Sequence, residues 1–166
     1  MSERVEVTVE VPKGSRNKYT RMPDGAMRLD RVLYSSVHYP ADYGIVEGTR
    51  DEDGGPLDAL VLITEATYAG CHVPARVIGV LDTRDSRGVD HKLLCVPAGD
   101  PHFENVHDIV DVEPHWLREI ETFFSTYKTL EGEDVDVVAW GNAETASAIL
   151  QAAWAAARAP TTELLP

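Results

Sequence analysis

Only two cysteines, Cys71 and Cys95, occur in 166 residues, and both sit in apolar, strand-like surroundings. They are too few for a disulfide framework and read as two buried thiols. No apolar run approaches the roughly 20 residues needed to span a bilayer. The opening MSERVEVTVEV alternates and carries charge, so it lacks the apolar centre of a secretion signal, and the expected location is cytoplasmic. Cations are scarce: 15 Lys and Arg stand against 28 Asp and Glu, a formal net charge of -13. That excludes the cationic footprint that a nucleic-acid or anionic-membrane surface needs. No G-x-S-x-G, Walker A or dinucleotide G-x-G-x-x-G motif occurs. Six histidines are present, but none shows the H-E-x-x-H or Cys/His spacing of a zinc site. The aromatic residues Phe123, Phe124, Trp140 and Trp154 suit packing better than base stacking.

A chain of this length suits one domain, residues 1–166, with a loose tail after about residue 160. Val5, Val7, Val9 and Val11 alternate with Glu6, Thr8 and Glu10, the pattern of a half-buried strand. PKGSRNKY then turns the chain. LDALVLI, HVPARVIGVLDT, HKLLCVP and VDVVAW read as further strands, with RDSRGVD as a loop before HKLLCVP. One helix is expected to start at Pro114, a residue suited to a first turn, with Leu117, Ile120, Phe124 and Tyr127 at helical spacing. Another is expected after Asn142, a good N-cap, and to stop at Pro160. Many strands followed by helices point to an α+β fold around a small barrel or curled sheet.

What the chain has in abundance is acid, gathered where strands begin. Asp53 and Asp58 flank GGPL, and Asp85 and Asp90 flank SRGV. In each case glycine lets the backbone bend, so both carboxylates of a loop can turn toward one cavity. Oxygen donors of this kind suit Mg²⁺ or another hard cation rather than zinc. Asp and Gly also populate turns for local reasons, so the acids alone do not decide between a site and two ordinary bends. Lys18, Arg31, Lys92 and Lys128 add weight. Converging with the aspartates, they would make a pocket for metal ions bound to a compact polyanion such as a phosphoanhydride. His91, between Asp90 and Lys92, is placed to titrate near neutrality under the influence of neighbouring carboxylates.

From VEVPKGSRNKY to about Asn142 the chain resembles the family I soluble inorganic pyrophosphatases. The segments that carry the resemblance are RLDR, YPADYG, DGGPLDALVL, DSRGVDHK, CVPAGDP and FFSTYKTLE, in order and at the family's spacing. The resemblance implies a small five-stranded OB-like β-barrel with flanking α-helices, a homo-oligomer that is hexameric in bacteria, and Mg²⁺-dependent hydrolysis of pyrophosphate, with Mn²⁺ as an alternative ion. It implies Asp53, Asp58, Asp85 and Asp90 as metal ligands, with Glu10 as a further acid that orders metal or its water. Lys18, Arg31, Tyr43, Lys92, Tyr127 and Lys128 match residues that contact phosphate, and Tyr39 matches a tyrosine beside the metals. Asp58 and Asp90 are the candidate catalytic carboxylates.

The chain also departs from the family. Where the family reads D-x-D-P-x-D, this sequence reads D-G-G-P-L-D, so Gly55 replaces an aspartate that contacts the nucleophilic water. Thr20 replaces another acid, Ser86 stands where an acid often follows, and a normally lysine-rich segment carries Glu133, Asp134 and Asp136. Two expectations follow: a pyrophosphatase slowed by the missing base, or a diverged paralogue that binds or transforms an organic phosphate or diphosphate.

Overall fold

Alternation in the first strand sets the inside and outside of the sheet. The computed structural model describes residues 2–160, so the expected loose tail beyond residue 160 lies outside the described residues. In β1 (Arg4–Val11), Val5, Val7, Val9 and Val11 are all buried, as the pattern requires. A hairpin of β2 (Asn17–Arg21) and β3 (Met27–Val32) follows, then β4 (Asp42–Val46), β5 (Leu57–Val61), β6 (His72–Asp85) and β7 (Gly88–Pro97). After two short 3-10 turns come α1 (Pro114–Thr126), β8 (Asp136–Asn142) and α2 (Ala143–Arg158).

The main sheet runs β1-β4-β5-β7-β6-β8, and β1 also pairs with β6. That extra pairing joins the ends of the first five strands and closes them into a barrel. Numbered in chain order within the ring, the strands run 1-2-3-5-4-1 with the third and fifth parallel, the OB-like arrangement that the sequence resemblance implies. Closure depends on the length of β6. Its 14 residues pair with β1 from His72 to Arg76, with β7 along most of their length, and with β8 from Gly79 to Arg84.

Strand alternation splits the core into two layers. Leu57, Ala59 and Val61 of β5 and Leu93 and Cys95 of β7 point into the barrel, where Ala146, Leu150 and Ala153 of α2 pack with them. Leu60, Leu62, Leu94 and Val96 point the other way, against Ile120, Phe123 and Phe124 of α1. The small residues on α2 let it approach the barrel closely. Both helices begin where expected: Glu113 accepts from the His115 N–H at 2.7 Å, and Asn142 accepts from the Thr145 N–H at 2.9 Å.

Two local expectations change. RDSRGVD is not a loop: β6 and β7 run on as an antiparallel hairpin to the pair Asp85–Gly88, so only Ser86 and Arg87 turn. Cross-strand hydrogen bonding there outweighs the turn-rich composition. Cys95 is buried and its thiol is pushed up to about 12 by that burial, whereas Cys71 is only partly buried; both are free.

Candidate active site

The outer face of β5 and β7 is apolar at one end and ionic at the other. Asp58 and Lys92 are register partners in the parallel β5–β7 pair, and Leu60 and Leu94 are the next partners on that face. Two residues toward the β6–β7 turn from Lys92, Asp90 falls on the same side. Beyond these residues the face opens into a cavity of about 410 Å³.

All four aspartates of the two acidic bends line it: Asp53 and Asp58 from one, Asp85 and Asp90 from the other. Tyr39, Tyr43 and Tyr127 form part of the wall, and Lys18 and Arg31 reach it from the β2–β3 hairpin. Lys128 enters from the end of α1. Glu10 does not line this cavity. It lines a different hollow with Thr20 and Arg21, yet the charges of Lys18 and Asp58 act on it. Burial raises its carboxyl, Lys18 opposes that, and Asp58 adds to it.

Three further polar side chains of the wall were not singled out from sequence: Thr83, Arg87 and Glu131. Arg87 sits at the two-residue hairpin tip between Asp85 and Asp90, so its place between two candidate ligands was a usable signal. Its N–H donates to the Asp85 carboxylate at 2.8 Å, fixing the turn. The wall thus carries Asp53, Asp58, Asp85, Asp90 and Glu131 against Lys18, Arg31, Arg87, Lys92 and Lys128. A third of the 15 basic side chains of an acidic protein are gathered here, and the lining is close to neutral before any ion binds.

Lys92 is the centre of this arrangement. It is buried at 3% exposure, and its ammonium donates to Asp90, to Asp58 at 3.3 Å and to the Tyr43 hydroxyl oxygen at 3.4 Å. The Phe124 and Tyr43 rings lie 5.0 and 5.6 Å away. Burial works against its charge, but Asp58 and Asp90 outweigh it and hold the lysine well above its ordinary value. Burial pushes Asp90 up to about 6; Lys92 opposes the shift and Asp58 adds to it. Burial also raises Tyr39 and Tyr43, so both remain hydroxyl donors at neutral pH.

The donor set fits a hard cation, with carboxylate oxygens from two loops around one hollow. The ammonium of Lys92, held between Asp58 and Asp90, marks a point that favours positive charge. Among the described residues no three His, Cys, Asp or Glu side chains are already gathered tightly enough to hold a metal ion.

Neither Asp51 nor Glu52, the acids just before Gly55 in its loop that could shift toward it, lines the cavity. The Asp51 carboxylate accepts from the His91 N–H at 3.3 Å, and its backbone N–H donates to Gly55 at 2.7 Å, so it braces the loop. Glu52 is turned to His91, at 4.0 Å from its Nε2. His91 itself points away from the cavity to Asp82, at 2.7 Å. A Cβ added at Gly55 would meet only the Asp53 carboxylate, at 3.5 Å, so the position has room for a side chain.

Comparison with known proteins matches the same residues to one family. The model of the family described as inorganic pyrophosphatase matches residues 7–158. The inorganic pyrophosphatase of Methanosarcina mazei is 47% identical over 156 residues, covering 92% of each chain. That of Streptomyces coelicolor is 50% identical over 137 residues, covering 81% of this chain and 84% of its own. The crystal structure of the Thermus thermophilus inorganic pyrophosphatase superposes with a TM-score of 0.90 at 42% identity, over 95% of this chain and 92% of that one. A family match from residue 7 to 158 and identities near one half over most of the chain leave one conclusion: the chain belongs to the inorganic pyrophosphatase family.

Proposed function

We propose that this protein hydrolyses inorganic pyrophosphate to two phosphates in a Mg²⁺-dependent reaction, with Mn²⁺ as an alternative ion. The observation that carries the reading is the shared cavity, where four aspartates from two bends face five cations and three tyrosines. Asp53, Asp58, Asp85 and Asp90 are the residues we assign to hold the ions, with Glu10 behind them. A bound Mg²⁺ supplies Lewis-acid charge and lowers the pKa of a water molecule.

The chain's own groups do the rest. Lys18, Arg31, Lys92 and Lys128 bind phosphoryl oxygens and neutralise the charge that develops on the leaving group. Tyr43 and Tyr127 orient those oxygens by donating hydroxyl protons. Asp90 is the candidate acceptor of the water's proton, and Asp58 across from it fixes the position of Lys92. Gly55 contributes no acceptor, so the chemical step is slower than with a carboxylate there, by about 10²- to 10⁴-fold at the scale of a lost general base. The alternative of a binding paralogue for organic phosphates rests on that absence and on the acidic segment from Glu133, and the relatives do not favour it.

The proposal extends to a homo-oligomer, hexameric by family resemblance, and to a cytoplasmic location. No described helix is long and apolar enough to cross a membrane. Phosphate release from pyrophosphate with Mg²⁺, by the natural chain and by Gly55→Asp, tests the reading. The natural chain is expected to turn over and Gly55→Asp to raise kcat by about 10²-fold. No release from either form overturns it.

A further inference from the structure

We infer that Glu133 sets the phosphate affinity of the cavity by holding Lys128 until a phosphoryl group displaces it. This rests on the proposed role of Lys128 in binding substrate. Lys128 lines the cavity wall, but its Nζ lies 3.4 Å from the carboxylate of Glu133, which stands outside that wall. The lysine side chain is 13% exposed and the glutamate 42%. The ammonium also sits 5.4 Å from the Tyr127 ring. It therefore has one face on an aromatic wall and one on a carboxylate.

The turn that follows α1 builds this contact. Residues Thr129–Glu131 form a 3-10 turn, and Gly132 ends it at φ 75, a left-handed conformation that glycine adopts without strain. The reversal brings the Glu133 N–H back to the Lys128 carbonyl at 3.3 Å, beside the Glu131 N–H to the same carbonyl at 3.0 Å. The backbones of residues 128 and 133 are thus joined, and their side chains leave from neighbouring points. The ion pair follows from the turn rather than from a chance meeting of two long side chains.

Its consequence comes from comparing the cavity cations. Lys92 is paired with Asp58 and Asp90, both part of the wall. Among the described residues, Lys18, Arg31 and Arg87 have no carboxylate within 4.0 Å. Lys128 is the cavity cation occupied by an acid from outside. A phosphoryl oxygen must take the ammonium from Glu133, and Glu133 recaptures it when phosphate leaves. The glutamate, more than a third exposed, returns to water at little cost. The exchange therefore tunes affinity without blocking the site, and it weighs most on the weakly charged product.

The test is Glu133→Gln, with Asp134→Asn as the neighbouring control of equal charge change. Removing the competitor is expected to lower KM for Mg²⁺-pyrophosphate, and to strengthen inhibition by phosphate, by about two- to fivefold, the scale of a partly exposed ion pair. kcat stays within about twofold, and Asp134→Asn leaves both constants within about 1.5-fold. In a Lys128→Ala background the Glu133→Gln effect disappears, because there is no cation left to release. Unchanged constants in Glu133→Gln, equal shifts in the two single variants, or a shift that survives Lys128→Ala each overturn the inference. If the natural chain releases no phosphate, the reading of the site fails separately. The Glu133 claim is then decided by calorimetric titration of the same variants with pyrophosphate and Mg²⁺, where the same change in Kd is expected and its absence is contrary.

Discussion

Lys18 and Arg31 stand directly opposite each other across the antiparallel β2–β3 pair, and both reach the cavity. Two like charges facing across a ladder repel, so this hairpin is arranged to receive an anion. A charge-assisted hydrogen bond contributes about 1.5–3 kcal/mol, and Arg31→Ala is expected to lower kcat/KM by about 10- to 100-fold. Lys18→Ala does the same. In thermal melts, pyrophosphate with Mg²⁺ stabilises the natural chain more than either variant; equal stabilisation of all three would remove the hairpin from the site.

Lys92 holds two carboxylates that otherwise repel each other. Lys92→Met leaves Asp58 and Asp90 facing each other with no cation between them. Losing one partner of an enclosed pair costs about 3–5 kcal/mol. Here Asp58 and Asp90 remain 24% and 26% exposed, so the expected loss is nearer 2 kcal/mol in metal-free urea melts. Mg²⁺ is expected to restore more stability to Lys92→Met than to the natural chain, since it supplies the missing charge to the same oxygens.

Cation binding must compete with the proton on Asp90. With that carboxyl raised to about 6 by burial, against Lys92 and with help from Asp58, the proton is held below about pH 6 and lost above it. Mg²⁺ affinity in calorimetric titrations should therefore rise with pH up to about pH 6, by up to about tenfold per unit, and then level off. Asp90→Asn removes the dependence along with most of the affinity. A flat profile in the natural chain would place the bound ion elsewhere.

Much of this was legible in the sequence, and for identifiable reasons. The valine alternation of β1, Pro114 at the head of α1 and Asn142 as a cap are local signals, and local signals decide those elements. The motifs around Asp53, Asp58, Asp85 and Asp90 marked two bends whose aspartates line one cavity in the fold. Closure of the barrel was not locally encoded. It depends on β6 being long enough to meet β1, β7 and β8 in turn, which no window of residues reveals. The same applies to Lys92, whose place between Asp58 and Asp90 comes from the parallel register of β5 and β7. Glu10, matched by resemblance to an acid that orders metal or its water, lines a different hollow from the four aspartates. Glu131 carried no such signal because it belongs to a turn, where composition predicts only bending; Arg87 was marked only by its place between Asp85 and Asp90.

His91 gives the stability of the fold a pH dependence of its own. Burial pulls its pKa down, but the hydrogen bond to Asp82 and the charges of Asp51, Asp82 and Glu52 outweigh that and raise it. A histidine raised above its unfolded value contributes stability in full below about pH 6.5, lost as pH rises through its folded value. Tm of the natural chain is expected to fall across that window relative to His91→Gln. Parallel curves for the two proteins would mean that the His91–Asp82 contact is energetically silent.

The most direct measurement is phosphate released from pyrophosphate by the natural chain, Asp58→Asn and Asp90→Asn, with Mg²⁺ present and then chelated. The account predicts two phosphates per pyrophosphate consumed by the natural chain, release that stops on chelation, and at least a 10²-fold loss in each variant. Release that persists without metal, or that survives both substitutions, would contradict it.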